Sequence, residues 1–428
     1  MAHKISKLKN GLTLITVPLA GTKATTVLVM IPVGSRYESR DISGVSHFVE
    51  HMMFKGTAKR PIAQEISREL DAVGADYNAF TAKEYTGYYV KIDGAKQALA
   101  FELLSDMLFH SKMEKAQMEK ERNVIVEELR MYDDNPSMKI SLLFDRLLFG
   151  DCPLGWDEGG SSKTVLGMDR AKLFEYYQSA YSTDNMVLVV AGNVDKKKLK
   201  VLVNKYYTKH SKPVKNKITK NNFTKFIWPT AKIPLEKRVE VEEKPVDQAH
   251  VILGFPGLHS NHPGRFAEAI LLYILGSGMS SRLFVEVREK LGLAYMVHAA
   301  STNYRDAGMA YVRAGLNPAK LGQALQVIKA ELKKMGEKGV TAKELTDAKN
   351  SIAGRMALSM EESNAQADWY AKQFWFMDKV QTPDDVLKKI RSVTVRDVKA
   401  TAKQLFNFDQ MRVAVIGPVK KSDVLKMF

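Results

Sequence analysis

Residues 186–194 read MVLVVAGNV and residues 411–419 read MRVAVIGPV, each after a helix-like segment and a short polar turn. A short apolar run rich in β-branched residues and bounded by turn residues predicts a buried strand. Its recurrence near the end of each half predicts one domain design used twice. A second pair keeps the same order: GTAKRPIAQEISREL from Gly56 and GSGMSSRLFVEVREK from Gly276. Both read as a glycine, a short loop and a helix carrying Arg-Glu, and a strand-like stretch follows each. The predicted architecture is α+β, with two homologous αβ domains, each a largely antiparallel sheet flanked by helices. Residues 211–236, rich in Lys, Asn, Thr and Pro, break the periodicity and read as a linker between domains at 1–210 and 237–428.

Within the first half, NGLTLITVPL and ATTVLVMIPVG are β-rich runs bounded by turn residues and read as paired strands. Helical patterns cover 45–54 and 61–73, DYNAFTAKEYTGYYVKI reads as two strands joined by a polar turn, and long amphipathic helices fill most of 94–150.

At 428 residues the chain exceeds one ordinary core. Its 45% hydrophobic and 26% charged residues are the balance of a folded protein. One cysteine, Cys152, excludes an intrachain disulfide and a cysteine-based zinc module. With no secretory apolar core near the start and no apolar run of membrane-spanning length, the expected location is cytoplasmic. The net charge of +16 is concentrated in residues 196–226, which read as a solvated region. No nucleic-acid motif accompanies it, so neither nucleic acid nor a membrane is an expected partner.

The chemistry concentrates in GVSHFVEHMMFKGT, residues 44–57. On a helix over 45–54, His47 and His51 stand at i and i+4 and project from one face, about one turn apart. Two imidazoles so placed can share one tetrahedral metal, with zinc the usual occupant, and Glu50 lies beside them to accept a proton from water. Satisfied histidines on a surface helix are the bland alternative. A catalytic zinc needs a third protein ligand, and residues 119–136, EKERNVIVEELRMYDDNP, offer Glu121, Glu127 and Glu128. Glu121 and Glu128 lie two turns apart on one face and Glu127 is rotated about 100° away. The helix before Gly276, RFAEAILLYIL, has no histidine, so only the first copy carries the ionisable cluster.

HFVEH followed by ERNVIVEE, with FKGT directly after the first motif and GADYNAFTAKEYTGYY downstream, resembles the pitrilysin-like, or inverzincin, M16 peptidases. This is the superfamily of insulysin and the mitochondrial processing peptidase. The resemblance spans essentially the whole chain, in the short two-domain form. It implies zinc, one per chain, on His47, His51 and Glu128, with Glu50 as general base and Glu121 orienting a ligand histidine. It implies that Arg288 and Tyr295, in FVEVREKLGLAYMV, reach the substrate from the second domain. Taken alone, Arg288 is a surface helix charge and Tyr295 a half-buried strand residue. It also implies that DYNAFT is a substrate-docking edge, with Asn78, Ala79 and Phe80 against the peptide backbone; an internal strand with Phe80 in the core is the alternative.

The implied activity is that of a zinc metalloendopeptidase hydrolysing extended or unfolded peptides inside a closed chamber. Family chambers hold four such domains, so this chain is expected to pair with a second one. A homodimer suffices because the zinc motif and the Arg/Tyr pair share one chain, and a heterodimeric partner stays open. The different-class alternative is a non-catalytic subunit that binds peptides. One departure falls in residues 149–165, where Cys152 stands near the place of a more usual His or Tyr.

Overall fold

The computed structural model describes residues 3–210 and 217–428. The chain forms two compact α+β units, described in turn. The first is built on a six-stranded sheet of β1 (Lys4–Lys7), β2 (Thr13–Pro18), β3 (Ala24–Ile31), β4 (Asp76–Thr81), β5 (Thr86–Asp93) and β6 (Val187–Gly192). Their spatial order is β1-β2-β6-β3-β5-β4, and only β2 and β6 run parallel. The expected pairing of β2 with β3 does not occur, because β6 is inserted between them. All six residues of β6 are buried, and a strand apolar on both faces belongs in the middle of a sheet rather than at a margin.

The first four α-helices are α1 (Val45–Met53), α2 (Ala63–Asp71), α3 (Gln97–His110) and α4 (Lys115–Asp134), of which α1 and the part of α4 up to Arg130 carry the site within this unit. Val45, Phe48, Val49, Met52 and Met53 of α1 recur with helical period and enter one core with Phe101 and Leu104 of α3 and Ile125 of α4. Burying each such side chain contributes about 1.5–3 kcal/mol. The opposite face of the sheet, with Ile15, Leu28, Met30 and Val189, is covered by Tyr370, Trp375 and Phe376 of the helix Ser363–Phe376. The indole of Trp375 donates to the Met30 carbonyl at 3.3 Å.

The second unit has a five-stranded sheet of β7 (Val239–Glu243), β8 (Ala249–Pro256), β9 (Ala294–Asn303), β10 (Gly308–Leu316) and β11 (Arg412–Gly417), in the order β7-β11-β8-β10-β9. Again a single pair, β7 with β11, is parallel. Strand for strand the order matches β2-β6-β3-β5-β4, and β6 and β11 are the two runs whose likeness announced the repeat. One face of this sheet, through Ile252, Ala414 and Ile416, is covered by Ile140, Phe144 and Leu148 of α5 (Pro136–Phe149).

The compact units are therefore not the contiguous stretches 1–210 and 237–428. Ala357–Val380 belongs with the first unit and Met131–Gly155 with the second. Each sheet takes one covering helix from the other half of the sequence, since an apolar sheet face must be buried whatever the chain order. Of the expected linker 211–236, residues 211–216 lie outside the described residues.

Candidate metal centre

Helix α1 is held from its first turn. The buried carboxylate of Glu38 accepts from the backbone N–H of Gly44 at 2.7 Å and of Ser46 at 2.8 Å, supplying the acceptor that the helix start lacks. Gly44 has φ 94°, and a Cβ there would stand 2.5 Å from the Gly159 carbonyl oxygen, so no larger residue fits. With the apolar stripe of α1 in the core, His47, Glu50 and His51 all fall on its other face and are half-buried.

The Nε2 atoms of His47 and His51 are 3.2 Å apart, and Glu128 Oε2 lies 3.7 Å from the first and 3.4 Å from the second. Among the described residues this is the one group of three such side chains whose ligand atoms cluster within 4.8 Å. Zinc–ligand bonds of about 2.0–2.1 Å at tetrahedral angles put ligand atoms about 3.3–3.4 Å apart. The observed separations are close to those edges, so this donor set fits a tetrahedral zinc.

The surrounding charges point the same way. Glu121 Oε1 meets His51 Nδ1 at 2.9 Å, which leaves Nε2 facing Glu128, and Lys55 Nζ holds the other Glu121 oxygen at 2.7 Å. Burial alone would raise the Glu121 pKa, but the bonds to His51 and Lys55 reverse it and keep the carboxyl below its usual range. The bond to His51 holds Glu128 low as well. For His51, burial is outweighed by Glu121 and Glu128, and its pKa is pushed up to about 9. Burial and the charge of His51 push His47 down to about 4. Glu50 is raised by burial, against a hydrogen bond donated by the Thr81 hydroxyl. Glu121 and Glu128, both held below their usual range, keep negative charge beside the two imidazoles, the sign of charge that favours a divalent cation there.

Each residue singled out from sequence has a definite place. His47, Glu50, His51, Glu121 and Glu128 come together, whereas Glu127 turns away and pairs with Arg130 at 2.5 Å. Asn78, Ala79 and Phe80 lie on β4, the outermost strand of its sheet rather than an internal one. Asn78 is exposed, and the Phe80 ring lies so close over Gly87 that a Cβ there would be 2.2 Å from it. In the second unit Arg288 sits in a π-helical turn, Phe284–Glu289, with its guanidinium 5.3 Å from the centre of the Tyr295 ring. Tyr295 is 77% exposed, more open than the half-buried strand position its sequence context suggests. Cys152 is a free, half-buried thiol. The sequence reading had no role for Glu38, Lys55 or Thr81. Lys55 follows His51 by four residues, which was a usable signal, but nothing local tied Thr81 to Glu50.

Residues 14–148 match the family model "Insulinase (Peptidase family M16)" and residues 167–352 match "Peptidase M16 inactive domain". The first contains the histidine motif. The second covers the copy whose equivalent helix, Arg265–Gly276, carries none. The "Uncharacterized zinc protease YmxG" of Bacillus subtilis (strain 168) is 34% identical over 410 residues, 96% of this chain and 97% of that protein. The "Uncharacterized zinc protease SCO5738" of Streptomyces coelicolor is 35% identical over 423 residues, 98% of this chain and 90% of its own. A crystal structure of a protease from Helicobacter pylori superposes with a TM-score of 0.87 at 25% identity, covering 97% of this chain and 99% of that one. With near full-length similarity to these relatives and both family models matched in order, this chain belongs to the pitrilysin-like M16 peptidase family.

Proposed function

We propose that this protein is a zinc-dependent endopeptidase that hydrolyses extended or unfolded peptides, with one zinc per chain. The observation that carries the reading is the His47–His51–Glu128 cluster at zinc-like separations, with Glu50 on the same helix. The zinc proteases among its relatives support the choice of metal. Zinc held there supplies a Lewis acid that acidifies water and polarises a carbonyl. Glu50 takes a proton from the attacking water and returns it to the leaving amine as the C–N bond breaks. Glu121 fixes the tautomer and orientation of His51 through Nδ1.

The outer edge of β4 binds the substrate backbone by strand addition at Asn78, Ala79 and Phe80, which makes recognition largely independent of sequence. Arg288 and Tyr295, assigned by family resemblance, bind the substrate carbonyl and the developing oxyanion. Two chains pair to enclose the chamber, and a homodimer is the simplest assembly. Among the described residues no helix is long and apolar enough to cross a membrane, and the single cysteine suits a cytoplasmic site of action.

The test is cleavage of a quenched fluorescent peptide library by the purified protein, with zinc measured on the same sample. Zinc near one per chain, with cleavage abolished by a chelator and restored by zinc, is the expected result. Zinc without cleavage would replace this reading with that of a peptide-binding subunit needing a partner.

A further inference from the structure

Thr81 is the last residue of β4, one position beyond Phe80, and its register partner across the hairpin is Thr86. Its hydroxyl donates to Glu50 Oε2, so the carboxylate on α1 is gripped by a different element of the fold. We propose that Thr81 is a positioning residue for the base. By occupying one oxygen of Glu50 it fixes the carboxylate and leaves the other oxygen for proton transfer, in register with a peptide lying along β4. This rests on the endopeptidase reading above and refines it.

The frame that presents Thr81 is rigid, which an incidental surface contact would not require. The hairpin closes with Ala82 N–H to the Tyr85 carbonyl at 2.9 Å. Its tip is tied to the segment after β3 by Ser35 N–H to Ala82 O at 3.2 Å and Arg36 N–H to Lys83 O at 2.8 Å. The approach is so close that a Cβ on Gly34 would stand 1.9 Å from the Ala82 oxygen. Side chains lock the same tip. Arg36 pairs with Glu84 at 2.6 Å with both nearly inaccessible, and Lys83, equally buried, reaches the Trp156 carbonyl and Glu158 at 3.2 Å. Buried charges so paired hold one geometry, because separating either pair would strand a charge away from water.

A strand that docks substrate and also holds the base has a functional consequence. A peptide displaced along β4 by one residue faces the wrong side of the strand, whereas Thr81 keeps Glu50 in fixed relation to the correct register. A hydroxyl serves here because it can donate to a carboxylate without adding charge beside the metal ligands.

The experiment compares Thr81→Val, which keeps the β-branched shape and removes the donor, with Thr81→Ser, which keeps the donor, on a quenched fluorescent peptide. Thr81→Val is expected to lower kcat roughly 10- to 100-fold, the equivalent of one hydrogen bond to a charged group, with KM within about 2-fold. Thr81→Ser should recover most of the rate, and zinc content and melting temperature should match wild type in both. Adding Thr81→Val to Glu50→Gln should cost nothing further, since the hydroxyl acts through Glu50. A Thr81→Val protein as active as wild type, or a Thr81→Ser protein as impaired as Thr81→Val, overturns the role of Thr81 alone. A wild-type protein that holds zinc and cleaves nothing overturns the endopeptidase reading and this inference with it.

Discussion

Replacing Glu121 by glutamine removes one negative charge from beneath His51 while keeping nearly the same shape. The side chain is 5% exposed, so water cannot readily take over its role. The carboxylate makes two charge-assisted contacts, with His51 Nδ1 at 2.9 Å and Lys55 Nζ at 2.7 Å. An amide oxygen can still accept from Nδ1–H, but it no longer strengthens His51 as an electron donor, and Lys55 is left beside a neutral group. Removal of such a partner of a ligand histidine weakens metal binding about 10- to 100-fold. At about 1.4 kcal/mol per decade this is roughly 1.4–2.8 kcal/mol, in the range of one hydrogen bond to a charged group. The folding penalty should be smaller, because Lys55 is 27% exposed and can turn to solvent. Zinc affinity is read by competition with a chromophoric chelator, wild type against Glu121→Gln, with chemical denaturation as the control for folding. An affinity within 2-fold of wild type in a folded variant would refute the assignment of Glu121 as the support of a ligand histidine.

Glu50→Gln should keep zinc and lose cleavage by about two to four orders of magnitude, whereas His51→Ala should lose zinc as well; metal analysis beside a peptide assay separates them. Arg288→Ala and Tyr295→Phe should lower turnover strongly with zinc content unchanged, and unaltered turnover in both would remove this pair from the mechanism. In the second unit, burial pushes Glu268 from 4.5 up to about 7, against hydrogen bonds from Asn303 and the Leu258 backbone. Its folded pKa lies above the unfolded one, so the stability linked to its proton is complete below about pH 4.5 and is lost as pH rises through about 7. The loss amounts to about 3 kcal/mol for that unit, and Glu268→Gln should be spared it. Urea midpoints at pH 5 and pH 8 read this directly, and equal pH dependence in the two proteins would count against it.

The elements legible from sequence were those whose signal is local. The stripe Val45, Phe48, Val49, Met52, Met53 has helical period, so α1 and the shared face of His47, Glu50 and His51 followed from spacing alone. Glu121 and Glu128 were separable from Glu127 by the same helical arithmetic, and the two like apolar runs marked β6 and β11. What spacing left open was which acid faces the histidines, and there the family resemblance chose Glu128.

The tertiary structure decided what depends on distant partners. Nothing in β2 or β3 says that β6 will lie between them; that follows from burying an apolar strand on both faces. Nothing in the helix Ser363–Phe376 or in α5 says which sheet it covers, because apolar surface is indifferent to chain order and any complementary face will serve. The contacts that tune the site have the same origin. Glu38 under the start of α1, Lys55 on Glu121 and Thr81 on Glu50 are polar groups matched across elements by distance and direction. Sequence periodicity reports which face a side chain occupies, and only folding brings two such faces together.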